Sequence, residues 1–85
     1  MLTRTSAHYT ATFSVGEKVC VASLVKLIQF QRDWQFHHAI TEAQLPYANR
    51  ETTVLHISFY HMGTALYELE GIPFHWHEPC LMPVK

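Results

Sequence analysis

Glycine is scarce in this 85-residue chain, with three in all. A phosphate cradle needs several residues without a Cβ so that backbone amides can close on the anion, so a nucleotide-binding loop is not expected. G-x-S-x-G is missing as well. Charge is equally thin, at seven acids against six bases with no block of like sign. The basic surplus with which nucleic-acid binders neutralise phosphates is therefore lacking, and a nucleic-acid-binding small barrel stands only as a remote alternative. No apolar run approaches the roughly 20 residues of a membrane-spanning helix, and Met1 to Thr10 holds no apolar core of a secretory leader after Arg4. A cytoplasmic chain with no membrane partner is the expectation. Only two cysteines occur, Cys20 and Cys80, far apart and outside any C-x-x-C unit. In a reducing compartment both are expected to be free thiols, although a closed barrel would let them meet.

What the chain does have is apolar side chains, at 48%, against a charged share of 15%, which argues against a disordered tail and predicts one domain with a single small core. The clearest pattern lies in residues 52–84. Val54 to Tyr60 alternates, and the strand is expected to bury Leu55, Ile57 and Phe59 while His56 and Ser58 stay wetter. His61-Met62-Gly63-Thr64 is a turn signal. Ala65 to Leu69 alternates again, and Glu70-Gly71 marks the next turn. Pro73 suits a strand start or an edge because it has no amide hydrogen to give to a ladder. Phe74 and Trp76 are expected inside, with His75 and His77 on the opposite, outer face. Glu78-Pro79-Cys80 reads as one tight helical turn and Leu81 to Val84 as a last short strand.

The first half is less regular. Met1 to Thr10 is polar and reads as a frayed start or a short edge strand, and Val15-Gly16-Glu17-Lys18 as a turn leading into a strand that buries Val19 and Val21. Phe13 and Val15 are expected to cover the mouth of the same core. Between Ala22 and Glu51, helical spacing (Leu24, Leu27, Ile28, Gln31) and strand alternation (Leu24, Lys26, Ile28, Phe30) fit the same residues. The alternation of Trp34, Phe36 and His38 favours a hairpin arm, Leu24 to Phe30 against Trp34 to Ile40. Thr41-Glu42-Ala43-Gln44 has capping-box spacing, so a helical turn should start there and be kept short by Pro46.

The strand FSVGEKVCV, the strand-turn-strand VLHISFYHMGTALYELEG and the ending WHEPCLMPV together resemble a Src-homology-3-like barrel of the small bacterial and phage type. The resemblance covers residues 13–22 and 52–84. It implies an all-β fold, a five- to six-stranded barrel with residues 22–51 as an elongated first loop or hairpin arm, closed by the coda Leu81-Met82-Pro83-Val84. It extends to the fold and not to the peptide groove of signalling members, since His77 and Cys80 stand where those carry Pro and Tyr.

Eleven aromatic rings exceed what so small a barrel can bury, so either several face a partner or the 22–51 arm folds back over them. Trp34, Phe36, Tyr60, Tyr67 and His75 are the candidate contacts for a protein partner or for a second copy of the chain. A phage or mobile-element accessory protein acting on a host complex would suit a module of this size. Seven histidines raise zinc as an alternative, with His75, His77 and one of Cys80, His56 or His61 as the candidate ligands. Only an H-x-H pair and vicinal His37-His38 offer any preorganisation, so no cofactor is expected. Cys80 beside His77 lacks an orienting Asp or Asn, so no enzyme is expected either.

Overall fold

The computed structural model describes residues 11–36, 38–60 and 64–84, with Tyr60 described through its backbone only. The start at Met1 to Thr10 and the turn at His61 to Gly63 lie outside them. Five strands, β1 (Lys18–Val21), β2 (Glu51–Tyr60), β3 (Thr64–Leu69), β4 (Ile72–His77) and β5 (Leu81–Pro83), form one antiparallel sheet in the order β4-β3-β2-β1-β5. The protein is thus mostly β. Among the described residues the sheet is open, with β4 and β5 as its edges, whereas the coda was expected to close a barrel.

β1 forms as its residues predict. A turn at Val15-Gly16, with Gly16 at φ 90°, is pinned by Glu17, whose amide reaches the Ser14 carbonyl and whose carboxylate accepts the Ser14 N–H at 2.9 Å. Val19 and Val21 then enter the core with Phe13. Val15 does not; it is exposed, because the turn carries it away from the core.

The hairpin arm expected at 24–40 is instead α1 (Leu24–Asp33). Ser23 takes an extended conformation and its hydroxyl accepts the Lys26 N–H at 3.3 Å, so the first turn is capped. The 3.6-residue period then buries Leu27 and turns Phe30 toward the core, leaving Leu24, Val25 and Ile28 outside. Trp34 ends the helix by donating its amide to the Phe30 carbonyl. His38, at φ 61°, breaks any extended run through 34–40. A 3-10 helix at Glu42–Tyr47 follows, carried through Pro46. Gln44 supplies the expected reciprocal cap, its Oε1 accepting the Thr41 N–H at 2.9 Å. The segment does fold back: Leu27 and Ile40 are buried in the core, and Phe30, Leu45 and Tyr47 pack against it.

Two bulges correct the expected faces. In β2, Val54 pairs with Leu69 but His56 pairs with Glu68, so Leu55 is an extra residue and the period slips by one. Val54 is therefore buried and Leu55, expected inside, is 53% exposed; Ile57 and Phe59 keep the expected face, opposite buried Tyr67 and Ala65, but Ile57 is only half-buried and Phe59, near the end of the strand, is 40% exposed. In β4, Ile72 pairs with Leu69 and His75 with Glu68, which leaves Pro73 and Phe74 as two extra residues. Phe74 sits at φ 76° and is exposed; Trp76 is buried as expected, and so is His77, which was expected outside.

The remaining elements match their residues. Ala65, Tyr67 and Leu69 of β3 face the core, Gly71 makes the turn at φ 72°, and a 3-10 helix at Glu78–Cys80 leads into β5. Cys20 and Cys80 are both free thiols.

Candidate functional site

A cluster of polar and aromatic groups lies where α1 and the segment after it meet β4. Phe30 on α1 and Trp34 at its C-terminal cap stack at 5.2 Å with ring planes 18° apart. Both lie on the His77 imidazole, at 5.1 and 4.5 Å between ring centroids, and Phe36 closes the row edge-on to Trp34 at 5.1 Å. These contacts explain the burial of His77. Its strand face would be wet in a bare sheet, and α1 covers it.

His77 is held from its other side by the backbone. Its Nε2 lies 2.9 Å from the carbonyl oxygen of His38. A carbonyl only accepts, so Nε2 carries a hydrogen, and in the neutral ring Nδ1 is then the bare nitrogen. Nδ1 is buried and finds no hydrogen-bond partner among the described residues. Burial pushes the imidazole below its ordinary range and the neighbouring His38 charge adds to this, while the His38 carbonyl works in the opposite direction.

The outer edge of β4 is closed by the same segment. Gln44, itself buried, donates from Nε2 to the His75 carbonyl at 3.1 Å while its oxygen holds Thr41. Beside it a cleft of about 170 Å³ is lined by His38, Ala39, Thr41, Gln44, Phe74 and His75. His38 and Phe74 both carry left-handed backbone conformations, which non-glycine residues adopt at a cost of about 1–2 kcal/mol, and both line this cleft. The His38 and His75 rings stand 6.2 Å apart across it. His75 also lies 3.1 Å from the Glu68 carboxylate, which His56 approaches at 3.8 Å. All three groups are well exposed, so these pairs orient the rings and add little stability.

Of the residues singled out from the sequence, the fold brings Trp34, Phe36 and His75 to this region. Phe36 is 68% exposed. Tyr67 is not a surface residue: it is fully buried, T-stacked on Phe13, and its hydroxyl accepts the Phe13 N–H at 3.3 Å. Burial, with Glu78 nearby, pushes its phenol up. The Tyr60 side chain lies outside the described residues. The described members of the candidate metal set are not assembled, and His61 lies outside the described residues. Cys80 is a core thiol that burial pushes up to about 12, His77 is committed to His38, and His75 faces Glu68. Among the described residues no three His, Cys, Asp or Glu side chains are grouped to hold a metal ion. The same thiol value leaves Cys80 protonated at neutral pH, so it is no nucleophile for His77 to activate.

Phe30, His38, Gln44 and Phe74 belong to this region and were not singled out as contacts. Gln44 was signalled by its capping box and Phe74 by the proline before it. Nothing in the sequence marks the backbone of His38.

No protein-family model, curated protein or solved structure with which the chain was compared matches it. No helix among the described residues is long and apolar enough to cross a membrane.

Proposed function

We propose that this protein is a non-catalytic protein-binding module of the Src-homology-3-like kind. The order β4-β3-β2-β1-β5, with a 3-10 helix between the last two strands, supports the fold part of that reading. The binding part rests on one observation: Phe36 projects into solvent from a row of rings, Phe30, Trp34 and His77, that is anchored on the sheet. A large ring held in place before contact loses little conformational entropy on binding, which is the property of an interface anchor. The neighbouring cleft, with Phe74 exposed at its rim, offers a second apolar foothold beside hydrogen-bonding imidazoles. The ligand class is therefore a polypeptide with apolar side chains spaced to reach both places.

Selection of peptides from a random displayed library tests this. Enriched peptides should shift the amide resonances of Phe36, Phe74 and His75 and lose at least about tenfold in affinity with Phe36→Ala, as truncation of an anchor residue does. No enrichment over a blank support, or equal binding to Phe36→Ala, would overturn it.

A further inference from the structure

The described elements that meet on His77 bring it no counter-charge. Phe30 of α1 and Trp34 at its cap cover the imidazole with uncharged rings, and β3 opposes it with Leu66. Arg32 and Asp33 of α1 are exposed and lie 4.0 Å from each other. Glu68 of β3 pairs with His75. In the turn that follows β4, the Cys80 thiol stays protonated and the Glu78 carboxylate accepts the Thr12 N–H at 3.0 Å. Among the described residues the titratable side chain whose charge bears on His77 is His38, and that charge has the same sign. His37 lies outside the described residues.

Nε2 already donates to the His38 carbonyl at 2.9 Å, so the next proton goes to Nδ1, which is buried and has no partner among the described residues. There it meets apolar rings and no carboxylate. A carboxylate would hold the charged ring in place; without one, the buried imidazole must either refuse the proton or lose its cover.

That cover can leave without dismantling the core. Trp34 and His38 belong to the connection between α1 and the 3-10 helix at Glu42–Tyr47. On its two sides Leu27 and Ile40 are buried, and Gln31 ties α1 to the Ile40 carbonyl at 3.1 Å. Gln44 separately holds the 3-10 helix to the His75 carbonyl. His38 itself sits at φ 61°, a conformation that costs a non-glycine residue energy and that opening would relieve.

We propose that the contact of His77 with the Trp34 ring and the His38 carbonyl is a proton-operated latch: uptake of one proton at His77 Nδ1 parts it from both, while the sheet and the buried ends of the connection stay in place. The open form takes up that proton more readily than the closed one. The open-to-closed ratio therefore rises by about tenfold per pH unit below the ordinary histidine value of about 6.5, until the closed form also titrates. Phe36 is stacked on Trp34 and His38 lines the cleft, so opening alters both parts of the contact surface at once. The latch itself does not depend on what that surface binds.

Nuclear magnetic resonance of the full chain, titrated from pH 7.5 to pH 5, tests it. The Trp34 indole and the His38 and Ala39 amides should move together with the His77 ring nitrogens, at one midpoint below 6.5, and return when the pH is restored. The Trp76 indole, which donates to the Pro73 carbonyl, and the amides of Val54 and Tyr67 should keep their positions. His77→Gln, which keeps a donor and does not titrate, should abolish the joint movement. His38→Asn, which keeps the carbonyl and suits the left-handed backbone, should retain it at a higher pH, since a like charge is removed. Unchanged Trp34 and His38 signals in the wild type, a joint movement that survives in His77→Gln, or loss of the Trp76, Val54 and Tyr67 signals at the same midpoint would overturn the proposal.

Discussion

The His77 imidazole hydrogen-bonds the His38 carbonyl at 2.9 Å, across 39 positions of chain, while its other nitrogen is buried without a partner. Protonation would place a charge and an unsatisfied N–H under the rings of Phe30 and Trp34. The folded state therefore favours the neutral ring and lowers its pKa from 6.5. With the folded value depressed, the unfolded chain binds the extra proton more readily, so stability is fully present above the unfolded value and falls as pH drops below it. Urea midpoints measured from pH 8 to pH 5 should fall more steeply for the wild type than for His77→Gln, which keeps a donor for His38 and does not titrate. Parallel curves would contradict this.

The two thiols should differ in reactivity. Cys80 is buried with its pKa pushed up to about 12, while Cys20 is only half-buried. A thiol-specific reagent at pH 8 should label one cysteine of the folded protein, Cys20, and two after unfolding in denaturant. Peptide mapping of the labelled site decides it.

Gln44→Ala removes the bonds that hold Thr41 and cover the edge of β4. A loss of about 1 kcal/mol is expected, because the partly buried His75 carbonyl is left without its donor. Chemical denaturation measures this, and faster amide exchange at Thr41 would assign it to the cap. An unchanged midpoint would mean that water replaces the amide without penalty.

Phe74 occupies a left-handed conformation on the exposed rim of the cleft. Phe74→Gly should raise the melting temperature, since glycine adopts φ 76° without steric conflict, a gain of about 1 kcal/mol. The same change should weaken any peptide selected on the wild type. A variant that is both less stable and equally competent in binding would refute the assignment.

Much of the sheet was legible in the sequence because its signals are local. Gly16 and Gly71 mark turns, Val19/Val21 and Ala65/Tyr67/Leu69 keep a strict two-residue period, and Glu78-Pro79-Cys80 is short enough to read directly. The failures are equally specific. Leu24 to Phe30 fits both periods, and the Ser23 cap decides for a helix. The bulge at Leu55 moves Val54 to the core face and Leu55 off it without any change in composition, while Phe59 keeps the face of buried Ala65 and is exposed near the far end of its strand. His77 was expected in water because its cover, Phe30 and Trp34, arrives from a helix more than 40 residues earlier in the chain. Of the candidate contacts, Trp34, Phe36 and His75 could be found from ring count and alternation. Tyr67 was misplaced because ring count says nothing about which rings are inside.

The segment between β1 and β2 leaves and returns at one spot. Val21 bonds the Arg50 carbonyl through its amide and accepts the Asn49 amide through its own carbonyl, so the two ends of the excursion are stitched together. The register of the strands is thus fixed independently of how many residues lie between them. Lengthening or rebuilding that excursion at its exposed bends would alter what the molecule presents to a neighbour while the five-stranded frame stayed where it is. Scaffold and contact surface are separable inheritances of a single short chain.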